Sequence, residues 1–321
     1  MGCALLCVLA AALPLAAQSG SAPPQQAAPP SPYLIESLID INEEIDLKQV
    51  WRMLGIKPPT GADYHCRGGC EAETFDLPMG SEGDRKTVAL KITHESHSFY
   101  QYIIFRQTGS TDWKLLGTVD CFDQRDGPPA HRVEQGDGRT WLVVRELSGR
   151  GSGMVAYAEG WHEIHDDGIK QVLTYPVEGK SQPCLQYLGH AYKAFVLRHG
   201  MENGTYTIPV QFMIAYDISI CEPGDASPAL FAKGQRAFFV WDAAKGEFVL
   251  DVRRSEVTQK QLDSAYALEG TSDEAFVEDN FAELAEVATR GDARRKAWLK
   301  NYLTRLRSTP RRAELQRLLQ Q

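Results

Sequence analysis

The strongest pattern along the chain is an alternation of apolar and polar positions. Tyr206, Ile208, Val210, Phe212, Ile214, Tyr216 and Ile218 place an apolar side chain at every second residue, the period of a strand with one buried face. Shorter stretches repeat it: Val88, Leu90 and Ile92; Tyr100, Tyr102 and Ile104; Trp113 and Leu115; Trp141, Val143 and Leu147. Between them stand Gly109-Ser110, Ser148 to Gly153, Glu202-Asn203-Gly204 and Ala243 to Gly246, residues that favour tight hairpin loops. Strands joined by short turns without helical crossovers predict an antiparallel β-meander over residues 60–256. Pro209 has no ladder donor to offer, so its strand is expected at a sheet edge or at a bulge.

The period becomes helical at both ends. In the segment 33–59, Asp46 and Gln49 have capping-box spacing, Val50, Trp51, Met53 and Leu54 are apolar, and Gly55 with Pro58-Pro59 supplies a stop. In the segment 257–321, Thr258 and Gln261 form a second capping box. Ser272 caps a stripe of Phe276, Val277, Phe281, Leu284 and Val287. Asp292 caps another of Trp298, Leu299, Tyr302, Leu303 and Leu306, and a last helix after Pro310 carries Leu315, Leu318 and Leu319. The expected fold is mainly β with helical termini, an antiparallel β-meander body of blade-like units or a β-sandwich, followed by a C-terminal α-helical hairpin. Strand starts near 86, 139, 190 and 235 give the body a loose rhythm.

Composition narrows the function. With 321 residues, 43% hydrophobic, 24% charged and a net charge of -8, the chain is neither disordered throughout, nor a multi-pass membrane protein, nor a globally basic nucleic-acid binder. The apolar run Ala4 to Ala17 ends in small residues and leads into a Gln, Ser, Pro and Ala tract. This layout predicts a signal peptide over 1–17, although no Lys or Arg precedes the run, and a disordered linker over 18–32. The expected location is secreted or periplasmic, with envelope association in reserve; Ala4-Leu5-Leu6 is a poor lipobox for an anchor at Cys7.

Export makes disulfides the default use of cysteine. Cys66 and Cys70 flank a Gly68-Gly69 bend that lets them bridge, Cys184 and Cys221 are a second candidate pair, and Cys121 is left over. No metal is expected. His65 beside Cys66 lacks a second cysteine pair, and His94-Glu95-Ser96-His97 and His162-Glu163-Ile164-His165 have i, i+3 spacing on strands, which sends the rings to opposite faces. Asp120, Asp123, Asp126 and Gly127 miss the two-residue spacing of a calcium loop. Gly151-Ser152-Gly153 is followed by a strand pattern rather than the helix a dinucleotide needs, so no cofactor is expected.

Two surface chemistries remain. Trp113, Trp141, Tyr157, Trp161 and Trp241 fall on adjacent strands, where they form either a core or a row of rings for carbohydrate or peptide; Trp113, Trp141, Tyr157 and Trp161 are the candidate ligand contacts. The tail is polarised, with six acids and no base from Asp273 to Glu286, then six bases and one acid from Asp292 to Arg307. A helical hairpin that neutralises itself is the expected outcome, and membrane contact through the basic tail the alternative.

Asp137 to Val144, the glycine turn 149–153 and Met154 to Trp161 together resemble one blade of the FG-GAP or VCBS type of secreted propeller. The resemblance covers about 25 residues and lacks the family's carboxylate-rich calcium loop. It implies extracellular binding rather than catalysis. The expected function is therefore an exported, non-catalytic binding or envelope-associated protein for an extracellular carbohydrate or protein, without nucleic acid. The alternative is a secreted hydrolase using a carboxylate pair from Glu146, Glu159, Glu163 and Asp166-Asp167, which needs two carboxyls about 5 to 9.5 Å apart.

Overall fold

The computed structural model describes residues 29–41, 47–57, 70–79, 85–93, 99–122, 131–151, 154–181, 188–218, 229–264 and 272–321. Helices α1 (Pro32–Ile41) and α2 (Leu47–Leu54) come first, then a four-stranded antiparallel sheet of β1 (Glu71–Asp76), β2 (Thr87–Thr93), β3 (Phe99–Gln107) and β4 (Trp113–Phe122), paired in chain order. The second sheet holds β5 (His131–Gly136), β6 (Arg139–Gly151), β7 (Met154–Ile164), β8 (Ile169–Ser181), β9 (Leu188–Val196), β10 (Gly200–Glu202), β11 (Thr205–Ile218), β12 (Ala229–Asp242) and β13 (Glu247–Leu250). Helices α3 (Gln259–Ser264), α4 (Asp273–Asp279), α5 (Phe281–Arg290), α6 (Ala293–Arg305) and α7 (Pro310–Leu318) close the chain. The fold is mainly antiparallel β with C-terminal helices, as the periodicity predicts.

The centre of the four-stranded sheet is covered on both faces, so β2 and β3, expected as half-buried, are buried on both sides, while β4 keeps the expected alternation. Val88, Leu90, Ile92, Ile103 and Phe105 pack under Ile35, Ile39, Leu47, Val50 and Trp51 of the N-terminal helices. The opposite face sets Ala89, Tyr100, Tyr102, Ile104 and Val119 against Leu142, Val144 and Ile164 of the large sheet. Trp51 Nε1 donates to Gln101 Oε1 at 2.7 Å and Gln101 Nε2 donates to Asp120 Oδ1 at 2.9 Å inside this sandwich, whereas the buried hydroxyls of Thr87 and Tyr102 have no hydrogen-bond partner among the described residues.

The large sheet is one continuous meander. The strands that begin at 139, 188 and 229 all lie within it and do not open separate blades, and the hairpin of the propeller resemblance is β6–β7. β11 carries the clearest alternation and is internal, between β9–β10 and β12, rather than at an edge; it does carry a register shift against β12, between Tyr216 and Asp217 and so away from Pro209. Pro209 is accommodated because its missing donor faces the interruption between β9 and β10, where Leu197 N still donates to Pro209 O at 2.8 Å. The inner face of β11 runs from Tyr206 at one end to Tyr216, which packs on Phe276 of α4 with ring centroids 5.1 Å apart. The C-terminal helices thus close one end of the sheet's inner face, through Leu284, Val287, Leu299, Leu303 and Leu315.

The C-terminal cap signals are met, while Asp46 and Pro58-Pro59 of the N-terminal segment lie outside the described residues. Gln261 N donates to Thr258 Oγ1, Ser272 Oγ accepts from Ala275 N and Asp292 Oδ1 from Arg295 N. The acidic stretch divides at buried Asn280, whose side-chain amide donates to Phe276 O and ends α4. The acidic helix α4 meets α7 through Arg311 and Glu278 at 3.5 Å and meets α6 through the Tyr302 hydroxyl, which donates to Asp273 at 2.7 Å, so this ion pair comes from the last helix and not from the basic helix of the expected hairpin. Among the described residues no helix is long and apolar enough to cross a membrane.

Candidate functional site

The site begins with a rule of antiparallel sheets: residues directly opposite each other share a face. Arg132 lies opposite Val143, which lies opposite Trp161; Glu134 lies opposite Trp141, which lies opposite Glu163. Arg132, Glu134, Glu159 and Glu163 therefore point inward with the tryptophans. Charges in an apolar alternation need partners, and here they form a chain of six side chains from four strands and a loop. Tyr175 OH donates to Glu159 Oε2 at 2.6 Å, and Arg132 Nη1 and Nη2 take Glu159 Oε1 and Oε2 at 2.7 and 2.8 Å. Arg132 Nε donates to Glu134 Oε1 at 2.8 Å, Glu134 Oε2 meets His199 Nε2 at 3.1 Å, and His199 Nδ1 meets Tyr206 OH at 2.7 Å.

Each charge shift has a local cause. Burial works against the Arg132 charge, but the hydrogen bonds and charge of Glu159, with help from Glu134, hold it above the ordinary guanidinium range. Burial, then the Glu159 carboxylate, pushes the Tyr175 hydroxyl upward. Tyr206 is pushed up to about 12 by burial and by the charges of Glu134 and Asp137. Both phenols stay protonated, which suits donors in a scaffold and not nucleophiles. A second ion pair, Arg139 with Glu163 at 3.0 Å, continues the row, and the Arg139 guanidinium lies 3.9 Å from the Trp241 ring centre.

Beside this chain lies a cleft of about 670 Å³, in the size range of small-ligand sites. Its walls are consecutive residues of two strands, Gln171 to Pro176 of β8 and Glu247 to Leu250 of β13, with Gln259, Leu262 and Asp263 of α3. Tyr175 belongs to both features. The cleft exists because, among the described residues, β9 pairs with β8 only from Glu178 to Ser181 and then leaves it, while β13 pairs only with β12. Lys170 Nζ pins one end, donating to the carbonyls of Lys245 and Gly246 at 2.9 and 2.7 Å.

The expected aromatic platform is placed differently. Trp141 and Trp161 are fully buried, their rings 5.9 Å apart and close to Tyr206 and Phe248, and Tyr157 is buried beside them. Trp113 belongs to the other core, under the N-terminal helices. These rings pack inside because each inner face is covered by another layer; none of the four forms a surface row. Of the candidate carboxylates, Glu159 and Glu163 share the inner face but are held by Arg132 and Arg139, while Glu146 lies opposite Ala158 on the other face. Asp166 pairs with Arg106.

His162 and His165 do not converge: His162 sits opposite Leu142 on the face of β7 that turns toward the four-stranded sheet, and His165 meets Glu163 at 3.5 Å beyond the strand end. Among the described residues no group of three or more potential metal ligands forms. Cys66, Cys184, Cys221, His94, His97, Asp123 and Asp126 lie outside the described residues. Cys70 is half-buried at the start of β1, and Cys121 is a buried thiol that donates to Arg145 O at 3.2 Å.

Sequence reasoning missed Arg132, Glu134 and His199. One signal was available: Glu159 and Glu163 keep step with Tyr157 and Trp161, an inward alternation that only paired charges satisfy. No family model matches the chain, and no curated protein matches it.

Proposed function

We propose that the protein is an exported, non-catalytic binding protein whose ligand occupies the cleft between β8 and β13. The observation that carries this reading is the pairing of a rigid inner face with an open cleft. The carboxylates on the inner face are engaged by arginine, so they hold the scaffold rather than move protons, while the cleft offers apolar walls with Thr174, Lys245, Glu247 and Asp263 at hand for orientation. A hydrolase needs a carboxyl free to donate a proton and another to attack or activate water, and Glu159 and Glu163 are both committed to ion pairs. Export, with a Cys66–Cys70 bridge, belongs to the same proposal; the ligand class is extracellular carbohydrate or protein.

The test is a thermal-shift screen of oligosaccharides and peptides against the protein and its Thr174→Trp variant, which narrows the cleft from an exposed position. The expected result is a ligand that raises the Tm of the parent and not of the variant. A ligand that stabilises both equally binds elsewhere and overturns the assignment of the cleft.

A further inference from the structure

We infer that the outer face of β9, β11 and β12 docks an acidic amphipathic helix of a partner protein. The even-numbered residues of β11 from Tyr206 to Ile218 belong to the core, so the odd-numbered ones face outward together with their cross-strand neighbours. Leu197, just past β9, and Phe238 flank Pro209 in one row, with Leu197 N donating to Pro209 O. Phe195 and Arg236 flank Gln211 in the next row, and Lys193 lies opposite Met213 in the third. An antiparallel sheet with one side in water ordinarily carries polar residues on that side. Here Phe195, Leu197 and Met213 stand on it 53%, 40% and 45% exposed, in adjacent rows. Contiguous apolar side chains of this size within a polar rim mark an interaction surface.

Charge decides the occupant. The ionic side chains within these rows are both basic: Lys193 has no ion-pair partner among the described residues, and the Arg236 guanidinium meets the neutral Gln211 Oε1 at 3.2 Å. The acids that border the face are engaged. Arg145 holds Glu178, opposite Lys193, at 2.6 Å; Arg254 holds Glu202 at 2.6 Å; and Glu256 accepts the main-chain N–H of Arg236 at 2.7 Å. A second copy on this face would bury like charges together without an acid between them. A bilayer sets its phosphates above its acyl chains, whereas the bases and the apolar side chains here share the same rows. A helix with carboxylates beside its apolar stripe matches both at once. It is also the element that ordinarily covers a sheet face, as α1 and α2 cover the four-stranded sheet.

The experiment titrates the purified protein by calorimetry with the helical peptide acetyl-Glu-Leu-Ala-Glu-Leu-Leu-Glu-Ala-Leu-Ala-Glu-Leu-Leu-Glu-amide and with a twin that has lysine at every glutamate. The acidic peptide is expected to bind, and the basic twin to bind about tenfold or more weakly. The double variant Lys193→Glu, Arg236→Glu is expected to reverse that order, a result that loss of folding does not produce. Phe195→Ser and, separately, Met213→Ser, both at exposed positions, are expected to weaken the acidic peptide about tenfold with the Tm of the parent. Equal binding of both peptides, or acidic-peptide binding that none of these variants alters, overturns the inference. Binding to phosphatidylglycerol vesicles but to neither peptide, lost in Phe195→Ser, overturns it in favour of a membrane. A dimer in sedimentation that Phe195→Ser dissociates overturns it in favour of a second copy. If neither peptide binds at millimolar concentration, the inference falls.

Discussion

Arg132 and Glu159 meet side by side across β6, each carboxylate oxygen receiving its own guanidinium nitrogen at 2.7 and 2.8 Å. The pair ties the edge strand β5 to β7 without a backbone bond between them. Glu159→Gln removes one charge, leaves Arg132 with Glu134 alone, and weakens the Tyr175 bond. The Arg132 side chain keeps 37% of its surface exposed, which screens the loss. The expected destabilisation is about 1–3 kcal/mol, and Tyr175→Phe should cost about 1 kcal/mol for its single bond. Urea midpoints measure both; a Glu159→Gln midpoint equal to that of the parent contradicts the bracing role.

His162 gives the fold an acid-sensitive point. Burial lowers its pKa from 6.5 to about 4, so in the unfolded chain it binds a proton that the folded chain refuses. The stability contributed by its neutral form is complete above pH 6.5 and is lost as pH falls through about 4. His162→Gln should flatten the stability profile between these values. Denaturant midpoints at a series of pH values decide it, and an unchanged slope removes His162 as the cause.

Glu146 acts in the opposite sense. Burial raises its pKa above 4.5, so its stabilising protonated form is present at low pH and lost as pH rises through the folded value. Glu146→Gln keeps the shape without the charge. A higher Tm at pH 7 and no change at pH 4 are expected; a loss at pH 7 means that the carboxylate has a favourable partner.

Gly136 allows the close approach on which the end of the ionic chain depends. A Cβ at this position collides with the Tyr206 ring and hydroxyl. Gly136→Ala must push Tyr206 away, breaking its 2.7 Å contact with His199. The expected outcome is a cost of about 1–3 kcal/mol and a shift of the His199 ring resonances in NMR spectra. His199 resonances that stay in place show that the tyrosine contact is not the one being strained.

Asp292→Ala tests the helical end separately. Its side chain caps α6 through Arg295 N at 2.8 Å. Loss of the cap should cost about 1 kcal/mol, and a Tm indistinguishable from that of the parent counts against it.

The fold was legible wherever one residue type has one local job. Ser272, Asp292 and the Thr258–Gln261 pair cap helices because their oxygens reach amides three residues on, a relation wholly local in sequence. Period two marked the strands, but not which faces would be covered: β2 and β3 are buried on both sides because α1, α2 and β6–β7 arrive from elsewhere in the chain. Pro209 was read by its own defect, when the answer lay in the gap of the neighbouring strand. The candidate site was the least legible. Arg132 and Glu159 are 27 residues apart and Glu134 and His199 are 65 apart, so only the sheet brings them together. The cleft depends on β9 leaving β8, which no residue announces.

In the large sheet, every strand pairs with a neighbour in sequence. A chain emerging N-terminus first can therefore add each strand except the short β10, which pairs with the β11 that follows it, to one already in place, and no early strand waits for a distant partner, so loop-closure entropy is low. The order of arrival also has a last member: β13 reaches the sheet after all the others, and the edge it brings is still open when assembly is complete.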